Sequence, residues 1–323
     1  MGKHVFVIQP RQAGQPLAHV LRGELHKSTV EIHRLIESRQ VWVNGKLCLE
    51  VKRRLQTGAR VEVRQPGQGR PRSDGGQPVI RYLDRYIVVV DKPPGLTTMR
   101  HANEAAEFGA RSKRFLPPTL ADFLPDLIAA RQPGKPGRVR AVHRLDKETS
   151  GLVVFARTPE AESHLGKQFR AHAIERRYLA VVRGHAKEGK IESDFVEDRG
   201  DGRRGSTSNS GQGKRAVTHV RVVAQLGDFT LAECCLETGR THQVRIHLGE
   251  AGTPICGERI YDRPIHGKPY PETSGFKRVA LHAATLGFIH PASGERKAWT
   301  SALPKDMAEL VKRLRLAARR KDV

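Results

Sequence analysis

Apolar positions change their period several times along the chain, and each change predicts an element. Leu17, Val20, Leu21 and Leu25 recur at helical spacing, and Ile32, Leu35 and Ile36 form the apolar stripe of a second helix. That helix opens at Ser28, and Glu31 three residues on can reach back to complete a capping box. Val41-Trp42-Val43-Asn44-Gly45-Lys46-Leu47-Cys48-Leu49 reads as two short strands around an Asn-Gly turn, and Arg60 to Arg64 alternates as a further strand. Residues 14–63 therefore read as a small helix-and-hairpin module. From 64 to 78 the pattern dissolves into Gly, Pro, Gln and charge, a composition that buries no core and predicts a flexible linker.

From residue 79 to 323 a second domain is expected. Ile87 to Val90, Val153 to Ala156, Tyr178 to Val182, Thr218 to Val223, Thr230 to Leu236 and Leu286 to Ile289 read as strands. Glu160 to Arg170 reads as a helix, as does Lys305 to Leu316, where Met307, Leu310, Val311 and Leu314 share one face. No strand–helix unit repeats, so the fold class is α+β with a largely antiparallel mixed sheet and flanking helices. His101 to Pro118 and Asp198 to Gly213 read as surface excursions. The second leads into Gly213-Lys214-Arg215 but lacks the spacing of a phosphate loop.

Charge narrows the partner. Lys and Arg total 57 against 34 Asp and Glu, a formal net charge of +23. A field of this size favours polyanions, with nucleic acid first. A membrane fits poorly, because no apolar run approaches a spanning helix and residues 1–10 lack the core of a secretion signal. Cys48, Cys234, Cys235 and Cys256 have no metal-ligand spacing and read as reduced thiols of a cytoplasmic protein.

Four stretches concentrate the chemistry: residues 91–96 (DKPPGL), 143–152 (HRLDKETSGL), 177–184 (RYLAVVRG) and 238–247 (TGRTHQVRIH). In the second, Asp146 sits among cations just ahead of an apolar strand, a setting that suits a nucleophile or an electrostatic stabiliser. Taken alone, the stretch fits an ordinary loop carboxylate better. By the same standard Tyr178 is a core strand aromatic and Arg245 a cross-strand surface pair.

Together, the four stretches resemble the signature of RluA-type pseudouridine synthases, in the same order and spacing. His143 to Gly151 matches H-R-L-D-x-x-T-S-G, and Thr238 to His247 matches T-G-R-T-H-Q-[IVL]-R-x-H. The segment GTPICGERIY follows as P-I-x-G-D-x-x-Y does in the family, with Glu258 in place of the usual Asp. KPPGL and LHAATLGFIHP match its first and last motifs. Two departures stand beside these matches: Arg177 precedes Tyr178 where Lys is common, and Thr97-Thr98-Met99-Arg100-His101 and a long insert replace a short apolar segment.

The resemblance implies an essential aspartate at Asp146, an active-site tyrosine at Tyr178 and a buried arginine at Arg245 that pairs with and orients the carboxylate. Arg144 matches an arginine used at the flipped nucleotide. No metal, nucleotide or redox cofactor is implied, since uracil leaves the ribose and returns to it. The first module resembles the RNA-binding module first seen in ribosomal small-subunit protein four. On that resemblance Lys27, His33, Arg34, Arg39, Lys46, Lys52, Arg53 and Arg54 form a face for a phosphate backbone. The expected protein is a monomeric enzyme acting on structured RNA, with large-subunit ribosomal RNA ahead of transfer RNA. A catalytically silent RNA-binding or ribosome-assembly factor is the alternative. A glycosidase ranks last, because it wants paired carboxylates.

Overall fold

The computed structural model describes residues 4–37, 40–44, 46–48, 50–51, 53–63, 76–100, 117–132, 138–209, 211–265 and 267–321. Two compact units divide the chain, one built from residues 1–72 and the other from 73–99 and 119–323; residues 100–118, nearly all outside the described set, group with the first.

In the first unit β1 (His4–Val7), α1 (Leu17–Leu25), α2 (Thr29–Glu37), β2 (Val41–Val43), β3 (Lys46–Leu47) and β4 (Arg60–Val63) follow in order. The strands form an antiparallel sheet ordered β1-β4-β2-β3. Leu17, Val20 and Leu21 of α1 and Ile32 and Ile36 of α2 bury against Val41, Val43 and Val61. The capping box forms: the Glu31 carboxylate accepts the Ser28 N–H at 3.0 Å, and the Ser28 hydroxyl accepts the Glu31 N–H at 3.3 Å. Asn44 takes the left-handed conformation (φ 51°) that the hairpin needs, and its side-chain oxygen accepts the Arg60 N–H at 2.7 Å.

The second unit comprises β5 (Val79–Leu83), β6 (Ile87–Lys92), α3 (Leu120–Ala129), β7 (Arg140–Ala141), β8 (Ser150–Ala156), α4 (Pro159–Arg170), β9 (Glu175–Arg183), β10 (Gly189–Val196), β11 (Gly205–Thr207), β12 (Lys214–Gln225), β13 (Phe229–Leu236), α5 (Gln243–Glu250), β14 (Leu281–Ile289), β15 (Arg296–Thr300) and α6 (Lys305–Lys321). Among the described residues these strands make one eleven-stranded sheet, ordered β11-β10-β12-β13-β9-β14-β8-β6-β5, with β15 on β14 and β7 on β8. Every pairing is antiparallel except β14 with β8. The mixed, largely antiparallel α+β architecture expected from the pattern is therefore found.

Burial on both faces explains the unbroken apolar runs of the central strands. Val88, Val90, Val153 and Phe155 face a core that includes Leu120, Leu124 and Ile128 of α3 and Met307 and Leu310 of α6. Val89, Leu152 and Val154 face Ala161 and Leu165 of α4. Each such Val, Leu, Ile, Met or Phe side chain contributes about 1.5–3 kcal/mol by leaving water.

Two helices escaped the sequence pattern. α5 is buried from Gln243 to Gly249, so it shows no amphipathic stripe. α3 carries Pro125 in its interior, which reads as a breaker. The excursion at 198–213 is also less free than expected: β11 pairs with β10, and the side chain of Arg199 is buried between Asp201 and Glu250 at 3.0 and 2.8 Å.

Candidate active site

Close packing at the middle of the sheet prepares the site. β8 and β14 meet in parallel at Gly151 and Ala283. Gly151 has φ 110°, and a Cβ there would overlap the Ala283 carbonyl, so only glycine admits this approach. Tyr178 on β9 pairs with Ala283 on one side and Cys234 on the other. Asp146 lies on the turn that leads into β8, where its carbonyl accepts the Thr149 N–H at 3.2 Å. These elements open on a pocket lined by Arg144, Asp146, Tyr178, Arg240, His242 and Arg245.

Arg245 projects from α5 and is buried, so the ordinary alternative of a cross-strand surface pair does not hold. Its Nε and Nη2 donate to the two oxygens of Glu258 at 2.6 and 2.9 Å, and Nη1 donates to Asp146 at 3.4 Å. The guanidinium lies 5.3 Å from the centre of the Tyr261 ring. Burial works against its charge, but Glu258 first and Asp146 second outweigh that and hold it firmly protonated. Burial alone would raise Glu258; the Arg245 fork and the Ile260 and Tyr261 amides overcome it and keep the carboxyl low. The helix start is fixed by Gln243, whose side chain accepts from Thr238 at 2.7 Å and donates to the Val217 carbonyl at 2.9 Å.

The neighbouring histidines and tyrosine are shifted toward their neutral forms. The Nε2 of His242 lies 3.7 Å from Asp146, and its Nδ1 pairs with the Tyr261 hydroxyl at 2.8 Å. Burial lowers the His242 ring, despite the Asp146 charge, so it is neutral at pH 7. Tyr178 is buried, and burial first, then Asp146, push its phenol up. His143 accepts the Val154 N–H at 3.1 Å and is pushed down to about 3 by burial; His247 pairs with Ser193 and Thr218 and falls to about 4.

The structure thus brings Asp146, Tyr178, Arg245 and the exposed Arg144 to one pocket. The other basic residues singled out belong to the first unit. Lys27 is exposed and pairs with Glu31 at 3.2 Å, and Arg53 Nη1 lies 3.9 Å from Cys48 Sγ. The side chains of Arg34 and Lys46, and all of Arg39 and Lys52, lie outside the described residues.

Two residues received no role from the sequence. Glu258 enters there only as a departure from the family pattern, and no periodicity links it to Arg245. Lys92 is fully buried, and its Nζ donates to the carbonyls of Pro93, Leu96 and Lys147 at 3.1, 2.9 and 3.2 Å. Strand alternation puts it on the face of Val88 and Val90, a signal that points it inward. Burial lowers its ammonium to about 7, although Asp146 acts to raise it. Below pH 7 the folded protein holds the buried cation. Between pH 7 and the ordinary lysine range only the unfolded chain keeps the proton, so stability gains about 1.4 kcal/mol per pH unit. Urea unfolding should therefore show wild type gaining about 2–3 kcal/mol over Lys92→Met between pH 7 and 9; parallel curves would mean that Lys92 keeps its proton.

The chain is similar to known proteins. Residues 86–250 match the family described as RNA pseudouridylate synthase. The ribosomal large subunit pseudouridine synthase D of Zymomonas mobilis is 37% identical over 244 residues, covering 74% of each chain. The Salmonella typhimurium protein of the same name is 31% identical, covering 95% of this chain and 93% of that one. Among solved structures, human RNA pseudouridylate synthase domain containing 4 aligns with a TM-score of 0.58 at 25% identity, over 73% of this chain and 92% of that one. The chain belongs to the RNA pseudouridylate synthase family, as an RNA-modifying isomerase of the RluA type.

Proposed function

We propose that this enzyme converts uridine to pseudouridine in large-subunit ribosomal RNA, with Asp146 acting on the sugar. The observation that carries the reading is a partly exposed carboxylate in a pocket, with a buried arginine behind it and a buried tyrosine beside it. The relatives' names supply the substrate class.

A stacked uridine is out of reach, so the base is extruded into the pocket at a cost of about a few kcal/mol. Arg144, exposed at the rim, suits the strand left behind. The bond from the sugar to the uracil nitrogen breaks, positive charge grows on the sugar, and the carboxylate of Asp146 stabilises or traps it. Uracil turns, its fifth carbon bonds to the sugar, that carbon loses a proton and the freed nitrogen gains one. Tyr178 stacks on the uracil. Because burial keeps its phenol protonated, water rather than Tyr178 takes the carbon's proton.

Residues 14–63 serve as the second RNA contact, through Lys27, Arg34, Arg39, Lys46 and Arg53. The exposed Lys27–Glu31 pair is screened by water and yields readily to a phosphate. One chain carries every group invoked, so a monomer suffices, and free cysteines suit the cytoplasm.

Transcripts carrying tritium on the fifth carbon of uracil test the reading. Wild type should release tritium to water from large-subunit ribosomal RNA and not from transfer RNA. Release from transfer RNA alone would reassign the substrate, and no release from either, with binding intact, would overturn the reading.

A further inference from the structure

The turn bearing Asp146 is gripped on both sides by the last residue of β6 and the segment that follows it. On the far side, the Lys147 carbonyl accepts from the Gly95 N–H at 2.8 Å and from the Lys92 ammonium at 3.2 Å. On the near side sits Thr98, itself fully buried. Its hydroxyl donates to the Leu145 carbonyl at 2.8 Å and accepts the Leu145 N–H at 3.1 Å. Both polar backbone atoms of the residue before Asp146 thus meet a single side-chain oxygen, in a place closed to water, since Leu145 is also buried. A hydroxyl can do this because it is one donor and two acceptors at once.

Thr98 is itself held from outside. Its carbonyl accepts the Ala121 N–H at 3.1 Å, and that of Thr97 accepts the Leu120 N–H at 2.8 Å. These are first-turn donors of α3, which lack partners inside the helix. The Thr119 hydroxyl and N–H both donate to Asp122 at 2.9 Å, which fixes that helix end. A continuous path therefore runs from the α3 N-terminus through Thr98 and Leu145 to the Asp146 backbone.

We propose that Thr98 is a positioning residue for the reaction: its hydroxyl sets the Leu145 peptide and so aims the Asp146 carboxylate at the sugar carbon. The inference rests on Asp146 being the reacting carboxylate. Arg245 and His242 approach that carboxylate at 3.4 and 3.7 Å, contacts too long to fix it unaided, so the backbone sets much of its aim. A misplacement of the reacting group by about 1 Å can cost on the order of 100-fold in rate. Thr98 does not line the pocket, so RNA affinity does not depend on it.

The test uses the full-length enzyme with large-subunit ribosomal RNA, comparing Thr98→Val, which keeps the shape and loses the hydroxyl, with Thr98→Ser, which keeps the hydroxyl. The expected result is a kcat lowered about 10- to 100-fold in Thr98→Val with KM within about twofold of wild type, and a kcat within about threefold in Thr98→Ser. A Thr98→Val enzyme with wild-type kcat overturns the proposal, and so does a change confined to KM. A Thr98→Ser enzyme as slow as Thr98→Val does the same. Thermal unfolding run alongside separates a loss of fold from a loss of rate. If Thr98→Val does not fold, Thr98→Cys, with a weak donor, takes its place, and wild-type kcat there counts against the role. Asp146→Ala in the same assay keeps the two readings apart: tritium release by Asp146→Ala defeats the assignment of the carboxylate, whereas an inert Asp146→Ala beside a fully active Thr98→Val defeats only the role of Thr98.

Discussion

Asp146→Ala is expected to lower tritium release by at least about a thousandfold while leaving the fold intact. Among the described residues Asp146 is the one acidic side chain lining the pocket, where the sugar's developing charge would meet it. The fold survives because Arg245 loses only its longest contact, 3.4 Å, and keeps both bonds to Glu258. The melting temperature should therefore stay within about 2 °C, since the lost contact is weak. RNA binding, carried by cations that the substitution does not touch, should hold or strengthen slightly. Residual turnover within tenfold of wild type would remove Asp146 from the chemistry.

Glu258→Ala is expected to do the reverse first, costing the fold about 3–5 kcal/mol because it leaves a buried guanidinium without its main partner. The melting temperature of the catalytic unit should fall by roughly 10 °C. The lost carboxylate also leaves the N–H groups of Arg259, Ile260 and Tyr261 without their acceptor. Because Glu258 is held low by Arg245 against the opposing effect of burial, its stabilisation is full above the usual carboxylate range and fades as acid protonates it. Adding Arg245→Met to Glu258→Ala removes the stranded charge, and should recover part of the melting temperature without recovering turnover. If the single substitution melts like wild type, the Arg245–Glu258 pair does not hold this helix as the geometry indicates.

How much of this was legible in the chain depends on which side of an element meets water. The Asn44-Gly45 hairpin and the Ser28–Glu31 capping box are local devices, and their residues carry the whole signal. β8 and β9 announce themselves through runs of apolar residues between turns, though both begin earlier than the pattern indicates, at Ser150 and Glu175. α5 was hidden for a physical reason: a helix buried all round has no polar face, so Arg245 looked like a strand residue. Asp146, Tyr178, Arg245 and Arg144 were singled out through their resemblance to a family, since an aspartate on a turn is otherwise ordinary. The partners that hold the site, Glu258, Lys92 and Thr98, come from segments distant in sequence, and no periodicity connects such groups.

The place of β14 in the sheet also governs when the site can come into being. β14 is inserted between β8 and β9, strands that leave the ribosome more than a hundred residues earlier and that do not pair with each other. Until Leu281 to Ile289 arrives, β9 lacks its neighbour along Glu175 to Ala180, and that edge is open to pairing with another chain. The parallel seam of β14 with β8 is a contact of very long sequence separation, the kind that forms slowly. Tyr178 and the Asp146 turn stand on opposite sides of that gap, so a nascent chain holds the chemical groups but not their alignment. Alignment of the site therefore waits for one of the last strands of the chain to be made.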